Sequence, residues 1–120
     1  MRERFASICR QAVAAAEKAS ALQGALMLRE APRIPADGCE TGDWLHVDVY
    51  LSKHPGYRAV LLRGSRYDAG VLDWARQRSA SIVAVGAPIE GAVQTIRYPG
   101  DDDALVRLLA ENTEIGRAHV

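Results

Sequence analysis

The chain has 120 residues, 48% of them hydrophobic, enough to fill the core of one domain without help from metals or disulfides. Fifteen basic residues balance fifteen acidic ones, so the basic footprint that a nucleic-acid partner requires is missing. The two cysteines, Cys9 and Cys39, form no C-x-x-C pair and have no histidine at zinc spacing, and no apolar run of roughly twenty residues could span a bilayer. The expectation is a cytoplasmic chain with no metal, no cofactor, no nucleic acid and no membrane partner.

Phe5 to Cys9 reads as a short strand, followed by a long alanine-rich helix from Gln11 to Ala31. In that helix Ala12, Ala15, Ala16, Ala19, Leu22 and Leu26 recur at three- and four-residue steps, and Pro32 ends it. Pro32 to Cys39 reads as irregular or extended, with a short helical turn from Thr41 to Val47. Ala59-Val60-Leu61-Leu62 and Ile82-Val83-Ala84-Val85 are unbroken apolar runs of the kind found in strands covered on both faces. Between them, a helix capped by Asp68 runs to Ser79 with Val71, Leu72, Trp74 and Ala75 turned inward. A short strand from Gln94 to Tyr98 precedes Asp101-Asp102-Asp103, which favour the start of a helix over Ala104 to Glu111. The order predicts an α/β fold of three layers, helix–sheet–helix, on a mostly parallel sheet.

Three places carry residues suited to chemistry. Glu30 lies in the last turn of the first helix, where the negative end of the helix dipole disfavours its ionised form; a general base and a solvated surface glutamate both fit that place. His46 follows Trp44-Leu45 and is suited either to acid–base work or to packing beside Trp44, whereas His54 and His119 carry no assigned role. Ser65, in Arg63-Gly64-Ser65-Arg66-Tyr67-Asp68, follows a central strand and leads into a helix, a weak signal for substrate binding at the end of a parallel sheet.

Taken together, Ala21-Leu22-Gln23-Gly24-Ala25-Leu26-Met27-Leu28-Arg29-Glu30 and Ala36 to His46 resemble the second SIS (sugar isomerase) domain of isomerising glucosamine–fructose-6-phosphate aminotransferases, a flavodoxin-like fold. The resemblance extends from Phe5 to about Thr113. It implies that Glu30 moves a proton between C1 and C2 of a sugar phosphate such as fructose-6-phosphate or glucosamine-6-phosphate. It also implies that His46 assists ring opening from a neighbouring subunit of a homodimer. Gln23 and Met27 stand where the family pattern has glutamate and an active-site lysine, and no serine-rich phosphate loop is present. Two readings therefore stand side by side: half of an aminotransferase-like or deglycase-like isomerase, inactive by itself, or a non-catalytic SIS module for binding carbohydrate derivatives or assembling subunits.

Residues 1–113 are expected to form the C-terminal half of a two-SIS protein, with Met1 an internal start. The last seven residues, Glu114-Ile115-Gly116-Arg117-Ala118-His119-Val120, back-translate to GAG ATC GGA AGA GCA CAC GTC. From AGATCGGAAGAGC onward that string is a widely used sequencing-library adapter. Residues 114–120 are accordingly expected to be an artefact of library preparation.

Overall fold

A computed structural model describes residues 11–110 apart from 55, 79 and 108. The strand expected over Phe5 to Cys9 and the tail 114–120 lie outside the described residues. Five strands, β1 (Gln11–Ala15), β2 (Asp37–Glu40), β3 (Arg58–Leu62), β4 (Ser81–Val85) and β5 (Gln94–Ile96), form one sheet in the order β2-β1-β3-β4-β5. Every pairing is parallel, with Ala12 opposite Asp37 on one side of β1 and opposite Ala59 on the other. Among the described residues the helices α1 (Lys18–Glu30), α2 (Thr41–His46) and α3 (Asp68–Arg78) accompany them. A 3-10 segment covers Asp48–Lys53, and 104–107 is helical. This is the α/β sandwich that the element order predicts.

One element differs in kind. Gln11–Ala15 is an interior strand instead of the first turns of a helix. Alanine has the highest intrinsic helix propensity, but that preference is worth less than 1 kcal/mol per residue against most alternatives. Pairing with strands on both sides satisfies the backbone of β1 from two directions, and Ala12 to Ala15 are all buried. The inward face of α1 shifts accordingly: Ala21, Gly24, Ala25 and Leu28 are buried, while Leu22 and Leu26 are exposed.

From the β1–β3 pair the chain departs in opposite directions, to β2 through α1 and to β4 through α3. Right-handed crossovers running in opposite directions must lie on opposite faces of the sheet. The core divides in that way. Val13, Ala15, Ala21, Ala25, Leu28 and Leu62 pack together under α1, and Val106 and Ala110 join them. Ala14, Trp44, Leu61, Val71, Leu72 and Ile82 fill the other face under α2 and α3.

The α1 face depends on a small residue. A Cβ on Gly38 in β2 would lie 2.5 Å from the Ala21 carbonyl oxygen and 2.8 Å from the Leu22 nitrogen, so the helix backbone rests directly on the strand. On the other face, α2 is too short to be stable by itself. Its anchor is Trp44, fully buried, whose Nε1–H donates to the Tyr57 hydroxyl at 2.9 Å. Burial pushes the Tyr57 hydroxyl up, and Trp44 opposes that shift. In α3, Trp74 is not turned inward as expected: it is 37% exposed, with the Arg78 guanidinium over its ring. Arg78 also donates to Val49 O at 2.6 Å and to Ser52 Oγ at 3.0 Å, which ties α3 to the 3-10 segment.

Candidate functional site

Because α1 connects two parallel neighbours, it runs back against them and ends at the edge of the sheet where the strands begin. Glu30 is its last residue and is exposed. No hydrogen bond or ion pair engages its carboxylate among the described residues. The helix ends through Ala31 N–H to Met27 O at 3.1 Å and Ile34 N–H to Leu28 O at 2.8 Å, with Arg33 between them at φ 59°. The bond from Ile34 back to Leu28 closes across a left-handed residue, and it directs the chain back toward β2.

His46 closes α2, also exposed, and is followed by exposed Val47 and Tyr50. With Trp44 held inward on the α2–α3 face, His46 stands on the side of the sheet opposite α1. Glu30 and His46 of one chain are thus separated by the sheet. Cys39 is buried between these regions, and burial first, then Asp48, pushes its thiol up, so it supplies no ready nucleophile.

Ser65 occupies a third place, the opposite edge of the sheet, where β1 and β3 end and their connections diverge. Parallel sheets bind ligands at such a crevice. Its hydroxyl accepts from the Tyr67 N–H at 3.1 Å, and its carbonyl accepts from the Asp68 N–H at 3.2 Å, so the serine shapes the turn. Asp68 does not cap α3 forward as the sequence implies. Its Oδ2 accepts from Gly64 N–H at 2.9 Å and from Arg63 Nη1 at 2.5 Å, while Arg63 Nε donates to Ala87 O at 3.0 Å. The loops after β3 and β4 are thereby clamped together. Gly64, at φ 144°, takes a conformation that favours glycine, and Arg107 lies against it.

Among the described residues, Oδ1 of Asp68, a residue 2% exposed, and Oγ1 of Thr41, fully buried at the start of α2, find no hydrogen-bond partner at this edge. Sequence reasoning missed the Arg63–Asp68 clamp and Thr41. An arginine and an aspartate five residues apart across a Gly-Ser turn was the available signal for the first. Nothing local marked the second. Farther along this edge, the Arg97 guanidinium holds the Asp101 carboxyl below the usual carboxylate range. Among the described residues no group of three His, Cys, Asp or Glu could hold a metal ion, and no helix is long and apolar enough to cross a membrane.

The fold is that of a parallel α/β domain with 2-1-3-4-5 strand order. Among solved structures it is similar to the "C-terminal domain of glucosamine-fructose-6-phosphate aminotransferase from Francisella tularensis", with a TM-score of 0.56 and 12% sequence identity. The similarity covers 96% of this chain and 37% of that one, so the chain spans well under half the length of its structural relative. At that identity the likeness is one of fold. No protein-family model matches the sequence, and no curated protein matches it.

Proposed function

We propose that residues 1–113 form a SIS domain of a longer sugar-phosphate isomerase of the aminotransferase or deglycase type, acting in the cytoplasm as a homodimer. Glu30 is the base that moves a proton between C1 and C2 of fructose-6-phosphate or glucosamine-6-phosphate. His46 of the partner subunit assists ring opening, and Ser65 is a weak candidate for substrate binding. One observation carries the reading: Glu30 is exposed at the end of α1 and has no partner among the described residues, whereas His46 of the same chain lies across the sheet. A site using both residues has to be completed from outside the chain. A poised base also needs surroundings drier than this exposed edge provides, which a covering surface would supply.

The shared site is tested by mixing subunits of the complete protein. A Glu30→Gln form and a His46→Ala form, each with little ketose–aldose activity, are expected to regain up to about a quarter of wild-type activity as mixed dimers, since one of the two sites is then intact in half of the molecules. Recovery in wild-type mixtures but never in the mutant pair contradicts the proposal.

A non-catalytic SIS module remains the second reading. It is favoured by Gln23 and Met27, exposed and half-buried in α1, which replace an acid and a base of the family pattern with groups that transfer no proton. Residues 114–120 are proposed as adapter-derived. The coding DNA is expected to read as adapter sequence there, and unrelated codons continuing to a natural stop would refute this.

A further inference from the structure

Beside the end of α1 the surface carries a groove of about 470 Å³ lined by Arg29, Arg33, Ile34, Pro35, Ala36 and Asp37. Its shape follows from the turn that ends α1: the Ile34 N–H donates to Leu28 O at 2.8 Å, and Arg33, just before Ile34, takes a left-handed conformation at φ 59°. Glycine is the residue this position favours, because a Cβ is strained there. An arginine that breaks the local rule, with no hydrogen bond or ion pair among the described residues to compensate, points to a use for its side chain. Arg29 lines the same groove and is already oriented, its Nη1 donating to Ala36 O at 2.7 Å. A guanidinium has five N–H donors, so most of those on Arg29 are uncommitted.

We propose that this groove binds a phosphate group, free or esterified, gripped by Arg33 and Arg29. Planar guanidinium forks match the oxygens of a phosphate in geometry and charge. Asp37, also on the groove, opposes the anion and weakens the grip. The inference goes beyond the isomerase reading and stands without it, because Glu30 plays no part in the grip.

The test is amide NMR on the 120-residue chain, titrated with sodium phosphate and separately with fructose-6-phosphate at constant ionic strength, with sodium chloride as control. Saturable shifts at Ile34, Ala36 and Asp37 are expected with phosphate, and with the sugar ester as well if the ligand is an esterified phosphate. Arg33→Gly is the informative variant, because glycine suits the left-handed position and the fold should be at least as stable as before. It should weaken binding about tenfold or more while the unfolding midpoint holds or rises, a combination that a merely structural arginine would not give. Glu30→Gln should leave the shifts unchanged, so failure of the isomerase reading and failure of this one are distinguishable. Absent or non-saturating shifts in wild type, shifts confined to Gly64–Arg66, or binding that survives Arg33→Gly would overturn the proposal.

Discussion

Replacing Glu30 with glutamine in the complete protein is expected to lower ketose–aldose turnover by about 10²- to 10⁴-fold, the usual contribution of a positioned general base. The substitution keeps size and hydrogen-bonding shape and removes only the ability to take and return a proton. Exposure of Glu30 at the end of α1 means that nothing in the described core depends on its charge, so the unfolding midpoint should stay put. KM should change far less than kcat, because the lost interaction is made mainly in the transition state. Turnover near wild type would remove Glu30 from the chemistry and leave the module reading.

The second large effect is on stability. A methyl group on Gly38 would stand 2.5 Å from the Ala21 oxygen, 2.6 Å from its carbonyl carbon and 2.8 Å from the Leu22 nitrogen. These are backbone atoms in the middle of a helix, so a rotamer change cannot make room. Gly38→Ala should therefore force α1 away from β2 and cost about 3 kcal/mol, at the upper end of overpacking effects. Urea unfolding measures it directly. Because α1 carries both Glu30 and the Arg29–Arg33 groove, the same variant should also disturb that edge, unlike substitutions on the α3 face. An unchanged midpoint would show that α1 does not rest on β2 as described.

Much of the architecture was legible in the residues. Ala59–Leu62 and Ile82–Val85 announced two buried strands because unbroken aliphatic runs have few other uses in a chain of this size. Asp68–Arg78 and Thr41–His46 were legible as helices, the latter despite Gly42. β1 was not, because alanine is compatible with either period and gives no contrast between an inner and an outer face. β2, with Asp37-Gly38-Cys39-Glu40, has little strand composition. It exists through pairing with β1 and through the contact that Gly38 permits.

The candidate site was legible in parts and not as an arrangement. Glu30 and His46 were visible as residues, but their placement on opposite faces depends on two crossovers leaving the β1–β3 pair in opposite directions, which is topology and not local pattern. Ser65 was visible, whereas its turn-forming hydrogen bond and the clamp beside it were not. The groove was hidden for a related reason: the left-handed position that ends α1 is usually marked by glycine, and here arginine occupies it.

Hydrogen exchange at the substrate carbons tests the central claim most directly. The complete protein, incubated with fructose-6-phosphate or glucosamine-6-phosphate in deuterated water, should isomerise it, introducing deuterium at C1 or C2 to the extent that the proton held on Glu30 exchanges with solvent before it is returned. The Glu30→Gln form should not. Sugar phosphate bound by the wild-type protein with neither isomerisation nor deuterium at either carbon would contradict the account and identify the chain as a binding module.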